Sequence, residues 1–282
     1  MTRVAPRRAL IVTADDFGLH KAVNEAVEQA HREGLLTAAS LMVGAPAADD
    51  AVERARRLPG LRVGLHLVLA DGPAFLPPEA IPDLVDADGN FGNRMALDGF
   101  RFFFLPHVRR QLAAEIRAQF AVFAATRIPL DHVNTHKHFH LHPTVLSLIL
   151  AIGRDFGLRA VRLPHEPRAP IWMRPWLALM RRRLDRSGIA HNHRVFGIER
   201  SGAMDETALL EIAERLPEGV SEIYLHPATE SGPATTSTMA GYRHADELAA
   251  LLSHKVRAAF DATGAARGGF ADIFGFAARS VL

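Results

Sequence analysis

No cysteine occurs among the 282 residues. Disulfides and thiolate chemistry are excluded, and any metal must be held by histidine nitrogen and carboxylate oxygen. The redox compartment stays open. Tryptophan and tyrosine number two each, and no stretch approaches the ~20 uninterrupted apolar residues of a membrane-spanning helix. A secretory leader is not evident: the basic start "MTRVAPRRALIVTADD" meets acidic residues before an apolar core of adequate length. A large excess of either charge is lacking too. Lys plus Arg number 33 against 31 Asp plus Glu, and the pI near 9.4 is a mild, mostly arginine bias. That bias does not call for nucleic acid as a partner. At 48% hydrophobic residues the chain is globular, and it has the length of one α/β domain, residues 1–282, expected in the cytoplasm.

Short apolar runs alternate with helical patterns. "RALIVTA", "TAASLMVGAP", "LRVGLHLVLA", "PLDHVNTH", "LRAVRLP", "HRVFGI" and "SEIYLHP" read as strands. Helices are predicted at about 20–33, 47–58, 143–157, 170–187 and 204–215, with another after 243. Pro143 suits a first helical position, and Gly34 and Gly157 suit helix ends. Repeated β-α units of this number predict an irregular (β/α) barrel, TIM-barrel-like, in a single domain. The small, polar segment 228–241 reads as a long mobile loop.

"NTHKHFHLHP" carries His136, His138, His140 and His142, four of the 15 histidines. Their shared parity would put them on one side of an extended chain. One ion cannot use all four, so one or two ligands with supporting partners are expected. Ionisable residues also close other strands: Asp15 and Asp16, His66, Arg162 and His226. Taken singly each has a plain explanation: a helix cap, a satisfied core histidine, a turn residue, a surface ion pair with Glu166. Together they mark the C-terminal ends of the strands, where β/α barrels build active sites. An aspartate and two histidines from three strands make an N,N,O set with open positions, suited to hydrolytic metal chemistry. A neighbouring unligated carboxylate could serve as general base.

"TADDFG" at 13–18, "GLHLVL" at 64–69, "THKHFHLHP" at 135–143 and "YLHPA" at 224–228 resemble the YdjC-like carbohydrate deacetylases, the group that contains chitooligosaccharide deacetylase. "VNEAVEQAHREGLLTAASLMVGAPA", "FFFLPHVRRQLAAEIRAQF" and "RAPIWMRPWLALMRRRL" are similar to the branch associated with hopanoid biosynthesis. The resemblance implies a metal-dependent deacetylase acting on an N-acetylglucosaminyl hopanoid, with a soluble chitooligosaccharide as the alternative substrate. A non-catalytic, metal-containing glycolipid-binding module is the reading outside enzymology. The resemblance further implies Asp16, His66 and His136 as ligands of one divalent ion, zinc or magnesium. Asp15 would be the base and His226 an acid or a transition-state stabiliser. Arg162, His138 and His140 are candidate sugar-orienting residues. Two His ligands favour zinc or another transition ion over magnesium. The sequence departs from the wider pattern at Asn134, where an acidic residue is common, and at His193, where an aspartate is common, so roles at those two positions do not transfer. Whether the chain forms a homodimer is left open.

Both tryptophans fall in "IWMRPWLALMRRRLDR", residues 171–186. Trp172 and Trp176 with Arg181, Arg182 and Arg183 predict weak peripheral docking at the inner membrane face, because indole and guanidinium together favour the water–lipid interface. The plainer expectation is an outer helix with a solvated basic face.

Overall fold

The computed structural model describes residues 7–229 and 237–277. "RALIVTADDF" forms β1 (Arg8–Phe17), and every residue after Arg8 is buried. Cover on both faces is what a central parallel strand requires, so the run is continuously apolar until Asp15. α1 (Lys21–Glu33) starts on His20, whose Nδ1 accepts from the Ala22 N–H at 3.1 Å, and stops at Gly34. β2 (Ala38–Leu41), α2 (Ala48–Arg56) and β3 (Arg62–Leu67) continue the alternation. The chain then leaves it. A short antiparallel pair, β4 (Gly72–Pro73) with β5 (Asn90–Phe91), precedes α3 (Met95–Phe104) and α4 (Pro106–Ala125). The repeat resumes with β6 (Val133–Thr135) and α5 (Pro143–Gly153), which begins on Pro143. A 3-10 extension ends at Gly157, where φ is +73°. α6 (Arg174–Arg186), β7 (Arg194–Phe196), α7 (Glu206–Glu214) and β8 (Gly219–Leu225) follow. The last elements are α8 (His244–Leu252), α9 (His254–Ala262), β9 (Ala266–Arg267) and α10 (Phe270–Phe274).

The sheet order is β6-β3-β2-β1-β8-β7, all parallel, and it curls. Beyond β6 the bonding passes through two bridges, Val133–Val161 and Ala160–Ala190. The Val161 N–H reaches the Ala190 carbonyl at 3.0 Å, and the Val195 N–H reaches the His165 carbonyl at 3.0 Å. Residues 159–165 therefore supply the remaining wall. They form bridges rather than a full ladder, and Pro164 has no N–H with which to extend one. Six of the seven expected strands are present, and the seventh, at residues 159–165, forms only bridges, which makes the barrel irregular.

Strand parity sorts the interior by height. At the base Ala9, Ile11, Ala38, Ala160 and Val220 pack with Phe270 of α10. Leu10, Val12 and Ala14 face the other way, into the core shared with the helices. Above the base lies a fully buried polar layer that includes Thr13, Ser40, His132, Arg162 and Glu222. α10 closes the base: the Asp131 carboxylate accepts from the Phe270 and Ala271 N–H groups at 3.1 and 2.8 Å. Of the loop expected at 228–241, residues 230–236 lie outside the described residues. Its far end forms a 3-10 turn, Ser237–Met239. Among the described residues no helix is long and apolar enough to cross a membrane.

Candidate metal centre

Asp15 and Asp16 would face opposite sides of a regular strand. They do not, because the β1–β2 register shifts between Ala14 and Phe17 and Asp16 adopts φ +62°. Aspartate tolerates this left-handed conformation better than most residues. The break turns both carboxylates toward the C-terminal mouth of the barrel. Asp16 Oδ1 stands 3.3 Å from His66 Nε2, at the end of β3, and 3.1 Å from His136 Nδ1, just after β6. All three side chains are buried, and their donor atoms lie within 4.8 Å of one another.

This set fits a cation. Ligands at ~2.0–2.2 Å around one ion stand roughly 3–3.5 Å apart, and Asp16 Oδ1 stands at 3.3 and 3.1 Å from the two histidine nitrogens. Asp16 Oδ2 and His136 Nε2 are buried without a hydrogen-bond partner. Burial works against an ionised Asp16, yet His136 and, after it, His66 and His226 hold its carboxyl well below the usual carboxylate range. Burial equally works against a charged His66, but Asp15 and Asp16 raise its pKa. The site favours positive charge, which a divalent ion also supplies.

Asn134 answers the question its identity raised. Its Oδ1 accepts from His66 Nδ1 at 2.7 Å, leaving Nε2 as the ring atom turned toward Asp16. Its Nδ2 donates to Asp15 Oδ1 and to Ser40 Oγ, both at 3.0 Å. Ser40 in turn meets His132 Nε2 at 3.0 Å, and His132 Nδ1 donates to Asp131 at 2.9 Å. An amide thus orients His66 in the manner of a carboxylate partner. A continuous hydrogen-bonded chain runs from the metal centre to the base. His193, the other departure, is spent on the barrel wall, its Nδ1 accepting from the Val220 N–H at 2.8 Å.

Arg162 requires a correction. It is 0% exposed and points inward beneath Asp15, not toward a sugar. Its guanidinium grips Asp15 at 2.5 and 2.9 Å and Glu222 at 2.9 Å, and lies 4.7 Å from the centre of the Tyr224 ring. Glu222 also accepts from Thr13 at 2.9 Å. Burial would raise the Asp15 pKa, but Arg162, helped by His66, depresses it strongly. Arg162 therefore holds the carboxylate ionised and oriented.

The histidine run is corrected as well. It is not extended: His136–Leu141 coil as 3-10 turns, with φ of +56° and +54° at Lys137 and His138. Its members part company. His136 joins Asp16. His138 Nε2 meets the Tyr224 hydroxyl at 3.0 Å, part-buried at the mouth. His140 is fully buried, with Nδ1 on Thr135 at 2.8 Å and Nε2 donating to the Arg162 carbonyl at 2.9 Å. Burial pushes its pKa down to about 3, so it is a neutral structural link with no face open to a sugar. His142 packs against α3, close to Gly99 and Phe102.

His226 arrives from the end of β8, its Nε2 3.9 Å from Asp16 Oδ2. Burial lowers its pKa to about 4 although Asp16 and Asp15 pull the other way, so the ring is neutral near pH 7. Its backbone N–H donates to Glu247 at 2.5 Å, and its carbonyl takes His244 Nδ1 at 2.5 Å. Glu247, Glu222 and Tyr224 were not singled out from the sequence. The signal for the last two was present: Glu222, Tyr224 and His226 share parity in one strand.

The residues expected to dock on a membrane divide. Trp172 is 76% exposed and Arg182 is exposed, but Trp176 is part-buried and donates to the Leu141 carbonyl at 2.9 Å. Arg181 bonds His165 at 3.0 Å, and Arg183 bonds Ser147 at 2.6 Å. The segment is mainly an outer helix that anchors its neighbours, and the five residues do not form one outward surface.

A single α/β barrel carries at its C-terminal mouth an Asp-His-His set that could hold a metal ion, beside an ion-paired carboxylate. The chain belongs to the YdjC-like protein family, whose model matches residues 9–262. A carbohydrate deacetylase of Brevibacillus brevis is 31% identical over 253 residues, covering 88% of this chain and 92% of that protein. A chitooligosaccharide deacetylase of Yersinia pestis is 30% identical over 283 residues, covering 94% and 99%. Among solved structures, an Enterococcus faecalis protein assigned by name to cellobiose-phosphate cleavage superposes with a TM-score of 0.75. It covers 95% of this chain and 99% of its own at 23% identity, a likeness of fold.

Proposed function

We propose that the chain is a metal-dependent carbohydrate deacetylase that hydrolyses the N-acetyl group of a glucosamine unit to a free amine and acetate. The observation that carries this reading is the Asp16-His66-His136 set beside an unligated, ion-paired Asp15. Asp16, His66 and His136 would hold a divalent ion, zinc by the nature of these donors, which when bound would supply Lewis acidity toward the amide carbonyl and water. Asp15 accepts the proton of the attacking water. With its pKa depressed by Arg162 it is a weak base and, once protonated, a ready acid. It passes that proton to the departing nitrogen as the C–N bond breaks. His226, neutral near pH 7, steadies the developing charge by hydrogen bonding and does not serve as a standing imidazolium.

The finer reading, from the sequence resemblance, is an N-acetylglucosaminyl hopanoid substrate. Exposed apolar side chains in the turn that precedes α6, Ile171 and Trp172, support a lipid-bearing ligand. A soluble chitooligosaccharide is the second reading, favoured by the Yersinia relative. Mass spectrometry of each acetylated substrate, incubated with protein and either metal, separates the two. Loss of one acetyl mass from the glycolipid alone supports the first; loss from the oligosaccharide alone removes it. Asp15→Asn should retain metal and cut turnover ~10²–10⁴-fold. Undiminished turnover in that variant would remove Asp15 from the mechanism, and the absence of acetate release from either substrate by wild type would leave only a binding module.

A further inference from the structure

A second charged cluster lies away from that site, beside α6 and β7. Between residues 165–169, β7 and α6 is a cavity of about 410 Å³. Arg174, Leu177, Ala178 and Arg181 line it from one face of α6, at helical spacing, and Arg194 enters from β7. Arg181 and Arg194 each meet the same atom, His165 Nδ1, at 3.0 Å. One neutral lone pair thus serves two guanidinium groups. Arg181 Nε is buried with no partner.

The cations have no counter-charge. Among the described residues Arg174, Arg181 and Arg194 form no ion pair with a carboxylate, whereas nearby Arg168 and Arg200 pair with Glu199 and Glu211 at 3.5 and 2.7 Å. Glu166, the one acid lining the cavity, is spent on backbone, accepting from the Gly197 and Glu199 N–H groups at 3.1 and 2.8 Å. Asp185, one turn beyond Arg181, is joined to His191 at 3.0 Å. Burial, and after it Arg181, lowers the Arg194 pKa; burial, and after it Arg194 and Arg181, lowers that of His165. The pocket is short of negative charge.

We propose that this pocket binds the phosphate group of a phosphate ester, held by Arg174, Arg181 and Arg194. Guanidinium forks match phosphate oxygens in shape and charge. The volume exceeds that of a bare ion and leaves room for the group the phosphate is attached to. The proposal stands on the pocket alone, independently of the deacetylase reading. The phosphate is carried either by a soluble sugar ester or by a lipid headgroup.

Calorimetric titration with inorganic phosphate tests the site. Wild type should bind, and Arg181→Gln/Arg194→Gln should bind at least roughly tenfold more weakly, the loss expected of charge-assisted bonds. Arg181→Lys/Arg194→Lys should recover part of the affinity, which a merely misfolded variant would not. Arg168→Gln, in the adjoining ion pair, should match wild type. Absence of binding by wild type, equal binding by the double Gln variant, or binding abolished by His66→Ala instead would overturn the proposal. The last result would put the anion on the metal. Glucosamine 6-phosphate and phosphatidic acid vesicles then assign the source: the carrier that binds more tightly than inorganic phosphate, and loses that gain in the double Gln variant, is the ligand. A gain that persists in the variant counts against this pocket.

Discussion

Arg162 and Arg194 sit on adjoining wall segments of the same barrel and meet opposite fates. Arg162 is sealed between Asp15 and Glu222, and nothing outside the protein is needed to balance it. Arg194 faces a cavity with a second arginine and shares one neutral histidine with it. The difference is one of purpose as well as depth. A charge neutralised by the chain is a fixture that orients its neighbours. A charge left unbalanced at a cavity is offered to something else.

Removing each arginine breaks the comparison most directly. Arg162→Met leaves Asp15 and Glu222 buried without a cation and should cost about 3–5 kcal/mol of unfolding free energy. Arg194→Gln should change stability by less than ~1 kcal/mol, because a part-exposed group is screened by solvent. Urea denaturation of both variants checks this, and equal losses would erase the distinction. Glu247 offers an intermediate case, a buried acid that forms no ion pair among the described residues. Burial raises its pKa to about 7 even though two backbone N–H bonds oppose the shift. The native state therefore holds a proton that the unfolded chain releases near pH 4.5. The associated stability is full below that pH and fades as pH rises through about 7. The melting temperature should fall across that window in wild type and fall less steeply in Glu247→Gln; parallel curves would refute the assignment. A local effect on the site, distinct from stability, concerns Asn134. Asn134→Ala frees the His66 ring and should weaken metal affinity ~10–100-fold with the fold intact, as measured by competition with a chelator.

The barrel and much of its site were legible because the signals were local. Each strand is a short apolar run, and Asp16, His66, His136 and His226 each stand at a strand's C-terminal end, so their convergence follows from the topology. The insertion carrying α3 and α4 was not legible, since it interrupts the β-α alternation and presents Phe100, Phe103 and Phe104 to solvent. Arg162 was noticed but misassigned. A strand end shows how high a residue sits, not which inward carboxylate awaits it from a strand 60 residues away. The parity argument for the four histidines failed for a different reason: two left-handed residues coil the chain where an extended one was assumed.

The base of the barrel has a consequence for synthesis. Phe270 and Ala271 are the groups that Asp131 holds, and Asp131 begins the hydrogen-bonded chain that ends on His66. Phe270 follows Asp131 by 139 residues. At ~5–20 residues per second, a ribosome needs roughly seven to thirty seconds to cover that interval, and the exit tunnel adds to the delay. For that time the nascent barrel stands open at the bottom, and the acid that anchors the relay has no backbone donors to satisfy it. The donor set at the mouth acquires its final bracing only once Phe270 and Ala271 have been made and docked on Asp131, so the top of the barrel depends on its last helix.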